Sequence, residues 1–140
     1  MNASPQRSLL EANTQLVSNT MVSCPEEAWR QRGLVAFRGL LQLVSIHQRF
    51  DLIHGLTLQC PYGNVAAILI DQLRLDATAA RSAPDTTLPH KTVALGAAVA
   101  RLLKHAVERD LPSHADLISS VLSLCRFALI CDKVATACSY

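Results

Sequence analysis

Apolar residues recur at spacings of three and four along most of this chain, which is the period of one face of an α-helix. In the first segment this stripe consists of Leu9, Leu10, Thr14, Val17 and Met21. Ala and Leu outnumber Val, Ile, Tyr and Phe, and that balance favours helices over strands. The pattern therefore predicts an all-α fold, a bundle of about five helices.

Capping residues, glycine and proline mark the predicted helix boundaries. Ser23-Cys24-Pro25-Glu26 has the form of a capping box and predicts the start of a second helix that continues to about Phe50. Asn64 is the predicted N-cap of the next helix, Asp110-Leu111-Pro112 ends the fourth, and Ser113 begins the last. The five predicted helices span about residues 5–22, 23–50, 65–81, 91–109 and 113–130.

Two segments fall outside these helices. Residues 51–59 have a less regular pattern, which Gly55 weakens further. Residues 82–90 contain Pro84 and Pro89 and no periodic apolar pattern. We therefore expect 82–90 to be the longest loop, exposed and comparatively mobile.

The amount of apolar surface bears on assembly. With 140 residues the chain falls in the usual range of one domain, so we expect a single helical domain over 1–140. The second and last helices are apolar almost all round, whereas each helix of a small bundle normally keeps one polar face. This surplus predicts a homodimer or a tightly bound protein partner. Gly33 and Gly39, inside the second helix, predict close approach of another helix.

Charge argues against nucleic acid as a partner. The formal net charge is only +2, and acidic residues interrupt the basic ones throughout. Arg30, Arg32, Arg38 and Arg49 make the second helix the most basic, but arginine stems also pack over apolar surface. The two helices between residues 91 and 126 do not suit a DNA groove either, because the second would present Asp116 and no arginine at its start.

We expect a cytoplasmic protein without a membrane span. The first seven residues lack the basic and apolar regions of a signal peptide. The longest apolar runs are interrupted by Arg38, Asp71, Arg101 or Arg126, so none approaches the roughly 20 apolar residues that cross a bilayer.

Five cysteines, at 24, 60, 125, 131 and 138, have neither an even count nor a short paired spacing. This pattern indicates neither a zinc site nor a disulfide framework, and we interpret them as mostly buried thiols. Cys24 is the alternative, because a thiol at a helix N-terminus has a stabilised thiolate and could serve in redox chemistry.

His47, Asp51 and His54 are the best candidates for a metal site. Spacings of four and three place them on one face if the helix is unbroken. The ordinary alternative is a polar face at a helix end, with Asp51 paired to Arg49. Phosphate-binding loops, nucleophile elbows and His-Glu-x-x-His motifs do not occur in the sequence, so we expect no cofactor.

The sequence thus favours a small regulatory or adaptor protein, an antagonist or chaperone-like regulator, that binds a protein partner through apolar helical surface. Aromatic and aliphatic anchors dominate interface energetics. The candidate contacts are Trp29, Phe37, Leu41, Val44, Leu117, Val121, Leu124 and Phe127, each of which is also an ordinary core candidate. The alternative is a small helical enzyme or metal-binding protein that uses His47, Asp51 and His54.

Overall fold

A computed structural model describes residues 5–137 of the chain and the side chains of residues 5–132. Within 5–137 all regular structure is helical, as predicted. The α-helices are α1 (Pro5–Ser23), α2 (Glu27–Gln42), α3 (Ile46–Gln59), α4 (Gly63–Ser82), α5 (Val93–Val107) and α6 (Leu111–Ala137), and a short 3₁₀ helix, Pro89–Lys91, precedes α5. Cys138 lies outside the described residues.

The described helices number six rather than five, because the predicted second helix is two helices. The amides of Leu43 and Val44 bond to carbonyls three residues back, which tightens and ends the last turn of α2. The Ser45 hydroxyl then accepts from the Gln48 amide, 3.4 Å away, at the start of α3. Residues 51–59, predicted to be irregular, are therefore helical.

Arg49 stabilises this break. Its buried guanidinium donates to the carbonyls of Leu41 and Val44 and to the side-chain oxygen of Gln42, at 3.4, 3.3 and 3.1 Å. The last carbonyls of a helix have no partner inside the helix, so Arg49 supplies donors where α2 ends.

The chain divides into two compact units, Met1–Leu52 and Ile53–Tyr140, and the division falls within α3. Whether residues 1–140 fold as one domain stays a prediction. In the first unit α1 packs against α2 as an antiparallel pair. The buried hydroxyls of Thr14 and Ser18 donate to carbonyls one turn back, so the polar part of this contact is satisfied.

Gly33 and Gly39 were predicted to mark the close approach of another helix, and this is confirmed at Gly33 alone of the two. A Cβ at Gly33 would lie 2.6 Å from Cγ of Met21 on α1, so the two helices do approach closely there. A Cβ at Gly39 would meet nothing within 4 Å. Gly39 therefore lies at an open position, not at a helix contact.

In the second unit α4 is the central helix, and more than half of its residues are buried. It packs along α6, and α5 packs on α6 as well. Gly63, which begins α4, lies against Ser113 and His114 near the start of α6, while Ala77 and Arg81 line the same cavity as Cys131 and Asp132. Helices α4 and α6 therefore run in the same direction, and α5 is antiparallel to α6.

The first turn of α6 is kinked. His114 has φ −129° and ψ 22°, outside the helical region, and Asp110 accepts from both the amide and the hydroxyl of Ser113. The cap of the last helix is therefore Asp110 and not the predicted Ser113. Two other predicted caps also differ, because α2 begins at Glu27 rather than after Ser23 and α4 begins at Gly63.

The segment 82–90 is more firmly attached than its composition predicts. Leu88 is only 3% exposed and His90 is also buried. The Lys91 ammonium donates to the Ala83 carbonyl, and the Asp85 carboxylate accepts from the amide and hydroxyl of Thr87. The prolines do interrupt the helices here, but Leu88 and His90 anchor the segment to the second unit.

We predict that Gly63→Ala destabilises the chain by about 1–3 kcal/mol, because overpacking a close contact forces backbone shifts. The added Cβ would lie 2.8 Å from the Ser113 carbonyl oxygen and 3.0 Å from the His114 Cα, neither of which is a flexible side-chain end. Urea unfolding measures the change. Gly96→Ala is the matched control, since its Cβ meets nothing within 4 Å and alanine favours a helix by about 0.5–1 kcal/mol. Equal stability of the two variants would contradict the close packing of α4 on α6.

Candidate functional site

Five of the eight predicted partner contacts lie in the core. Phe37 and Leu41 on α2 are fully buried, as are Leu117, Val121 and Leu124 on α6. They form the inner stripes of their helices. A partner that meets the chain in this conformation would contact other residues.

The other three predicted contacts are accessible to different degrees. Trp29 is 56% exposed, and the Arg32 guanidinium lies over its ring, 4.8 Å from the centroid. Val44 and Phe127 are half-buried. Trp29 and Phe127 are therefore the predicted aromatic anchors that retain accessible surface.

The candidate metal ligands do not form a metal site. Across the described side chains, no group of three His, Cys, Asp or Glu residues comes together in a way that could hold a metal ion. His47 and Asp51 are exposed on α3, and His54 is half-buried. Helical spacing alone thus does not bring a complete set of ligands together here.

The basic residues of the predicted second helix are largely engaged within the chain. Arg30 pairs with Glu27 and donates to the carbonyls of Cys24 and Pro25. Arg49 is buried at the break between α2 and α3. Arg32 and Arg38 are the members of this set that stay exposed, so the four arginines do not form a continuous basic surface.

The described cysteines give no support for a reactive thiolate. Burial raises the pKa of the Cys60 and Cys125 thiols, which keeps them protonated. Cys24 lies two residues before the N-cap of α2, and its sulfur donates toward the Glu26 carbonyl at 3.8 Å. Cys24 therefore lies before the first turn of α2 and not within it.

Helix α6 has a second apolar stripe beside the buried one. Its members are separated by three, four, three and four residues, as on one face of a long helix. Two of the large side chains are clearly accessible, Leu122 at 53% and Leu129 at 63% exposure, while Ile118 and Cys125 are half-buried. We name this surface the outer seam: Ala115, Ile118, Leu122, Cys125 and Leu129.

The same helix meets the length and composition of a membrane span. Residues Leu111–Asp132 have a mean hydropathy of 1.5, although only 17% of the window is buried within the protein. A single helix that meets this criterion is weak evidence for a membrane span. We expected no segment to be long and apolar enough to span a bilayer, and by length and composition α6 is an exception.

A groove of about 700 Å³ lies among the end of α4, the start of α5 and the C-terminal part of α6. Small residues open it, because Ala77, Gly96, Ala97 and Ala128 line it and Gly96 has open space where a Cβ would be. Phe127 and Leu95 give it apolar walls. Val93 stands at its edge with 92% of its surface exposed. We name this cavity the α5–α6 groove.

One end of the α5–α6 groove is basic. The cations Arg81, at the end of α4, and Lys91, before α5, line it beside the buried His90, and Asp132 is the acidic residue among its lining. The groove also lies at the N-terminus of α5, where Thr92 caps the Ala94 amide and the helix has a partial positive charge. The groove therefore combines apolar walls with a positively charged end.

Comparison with known proteins places the chain in a family. A family model described as "Uncharacterised protein family, YAP/Alf4/glomulin" matches residues 3–137, almost the whole chain. The chain belongs to this family. Membership in the YAP/Alf4/glomulin family suggests a protein-interaction or regulatory role and specifies no partner. No curated protein and no solved structure shows a significant match to the chain.

Sequence reasoning missed the outer seam of α6 and, among the residues that line the α5–α6 groove, named only Phe127 as a partner contact. The outer seam was visible as the spacing of Ile118, Leu122, Cys125 and Leu129, but the neighbouring stripe at Leu117 has the same spacing and hydrophobicity. The α5–α6 groove draws its lining from residues 77 to 132, and no local pattern in the sequence predicts that combination.

His105 on α5 should make the stability of the fold depend on pH. Burial lowers its pKa, and Arg109 and His114 act in the same direction while Glu108 opposes them. Because the folded pKa lies below the unfolded value of about 6.5, the unfolded chain binds more protons as the pH falls. Stability should therefore be fully present above pH 6.5 and decrease as the pH falls through the folded pKa of His105.

Urea unfolding between pH 7.5 and 5 checks this expectation. His105→Gln should lose less stability over that range than the wild-type chain. Lys104→Gln, which removes the charge of a neighbouring exposed residue, should keep the wild-type slope. A wild-type slope in His105→Gln would show that another group causes the acid sensitivity.

Proposed function

We propose that this chain is a non-enzymatic regulatory or adaptor protein that binds a protein partner through the outer seam of α6. The observation that carries the proposal is a stripe of apolar residues on a 27-residue helix whose other stripe already fills the core. Isolated surface leucines are ordinary, but several in one continuous helical row are typical of helix–helix interfaces. Membership in the YAP/Alf4/glomulin family supports the interaction role. Location in the cytoplasm is part of the same proposal.

A second copy of the chain is the first partner we propose, as an antiparallel homodimer. In that arrangement Ile118 of one copy lies opposite Leu122 of the other, and Ala115 lies opposite Cys125. Large side chains thus face large ones, and the smaller pair allows the helices to approach. An isologous two-fold contact requires this kind of self-complementary row.

Leu122→Glu should dissociate the assembly, because the contact would place a carboxylate among apolar side chains. We expect the dissociation constant to rise by about 100-fold or more, equivalent to about 3 kcal/mol. Light scattering should then give the mass of one chain, 15.2 kDa, where the wild-type chain gives twice that mass. Leu122 is not in the core, so circular dichroism should not change, and the melting temperature should fall only by the contribution of dimerisation.

Ser123→Glu is the matched control, since Ser123 is exposed, lies next to Leu122 and points away from the outer seam. It should keep the wild-type mass. The pure wild-type chain could be monomeric while Leu122→Glu removes a stoichiometric partner from its complex in the cell. That result would show that the outer seam binds a different protein and not a second copy. A monomeric wild-type chain whose cellular complexes are unaffected by Leu122→Glu would contradict the proposed function.

A further inference from the structure

The α5–α6 groove is separate from the outer seam, so its ligand is a further question. The groove lies where the buried stripe of α6 continues toward Ala128 and Cys131, and no residue of the outer seam lines it. A volume of about 700 Å³ falls within the range of about 300–1,000 Å³ that is typical of ligand sites. The groove is also accessible, because Val93 and Gly96 at its edge are exposed.

The lining of the groove restricts the chemistry of an occupant. Its walls are apolar or small, namely Phe127, Ala128, Leu95 and Ala97, so an occupant needs apolar side chains to displace water from them. At one end, Arg81 and Lys91 are exposed cations, opposed by the single carboxylate of Asp132. Lys91 also donates to the Ala83 carbonyl, and the lining as a whole has one more positive than negative charge. An occupant with both apolar and acidic side chains complements the walls and this charge, whereas a free anion would leave the walls unfilled.

We propose that the α5–α6 groove is a docking site for an acidic amphipathic helix of a partner protein. Apolar residues at helical spacing contact Phe127 and the small residues of the walls. Carboxylates on the flank of the docked helix pair with Arg81 and Lys91. This is the helix-in-groove mode of peptide recognition, with charge complementarity setting which helices are accepted.

Synthetic peptides of defined composition test the proposal against the full chain. The first probe is a fluorescein-labelled helical peptide with leucines at spacings of three and four and glutamates on the flanks. The second has lysines in place of the glutamates, and the third has alanines in place of the leucines. Fluorescence anisotropy should show binding of the first peptide. The second and third peptides should each bind with an affinity lower by about tenfold or more.

Two variants of the chain locate the binding site independently. Gly96→Leu fills the groove at a position where a Cβ meets nothing within 4 Å, so the chain should fold and lose peptide binding. Arg81→Glu reverses a charge at the basic end and should weaken binding of the acidic peptide by about tenfold. Arg38→Glu, an exposed residue of α2 outside the groove, makes the same change of net charge and should have no effect.

Cys131 provides a local readout, because it lines the groove and is half-buried with a free thiol. Bound acidic peptide should slow its alkylation by N-ethylmaleimide at least fivefold, while Cys24 in the other unit keeps its rate. Mass spectrometry of tryptic peptides separates the two sites. Leu122→Glu should bind the peptide as the wild-type chain does, so a failure of the outer seam and a failure of the groove are distinguishable.

Several results would overturn the proposal. These are equal affinity for the acidic and basic peptides, equal weakening by Arg81→Glu and Arg38→Glu, or an unchanged alkylation rate of Cys131 at saturating peptide. Peptide affinity that falls as the protein concentration rises would show that a second copy fills the groove instead. Absence of binding by all three peptides at about 1 mM would likewise overturn it.

Discussion

The packing of α4 against α6 is the contact on which the second unit depends. Helix α4 buries residues on most of its circumference, and α6 covers it along nearly its whole length. Gly63 allows the start of α4 to touch the backbone at Ser113 and His114, where α6 is kinked. Because this contact fixes both ends of the parallel pair, it also determines which sides of α6 remain outside.

Helix α6 uses only a narrow stripe for this packing. Leu117, Val121 and Leu124 are buried, while the apolar residues on both sides of them stay wholly or partly accessible. Beside this stripe lies the outer seam, a continuous apolar row that suits another helix of similar character. Where the stripe continues toward Ala128 and Cys131 lies the α5–α6 groove, whose basic end suits an occupant with negative charge. A single helix therefore presents two surfaces of different chemistry.

Much of the fold could be predicted from the sequence, because five of the six helices have apolar stripes at helical spacing. The break between α2 and α3 could not, since it depends on Arg49 donating to carbonyls up to eight residues earlier in the chain. The attachment of residues 82–90 was missed for a similar reason. Leu88 and His90 are isolated in sequence, and their burial depends on tertiary contacts.

The candidate site was harder to predict than the fold. Helical periodicity identifies an apolar face, but it does not say which of two adjacent stripes a neighbouring helix will cover. For this reason Leu117, Val121 and Leu124 were predicted as partner contacts and lie in the core, whereas Leu122 and Leu129 remain accessible. His47, Asp51 and His54 illustrate the same limit, because spacing on one helix does not supply ligands from a second element.

We infer that the outer seam of α6 is covered in the native assembly. Thiol labelling of Leu122→Cys and Ser123→Cys in the undisrupted native complex tests this inference, because both positions are exposed in the single chain. If a partner covers the outer seam, the thiol introduced at position 122 is protected until the complex is denatured, while the thiol introduced at position 123 reacts at once. Equal and rapid labelling at both positions would show that nothing covers the outer seam.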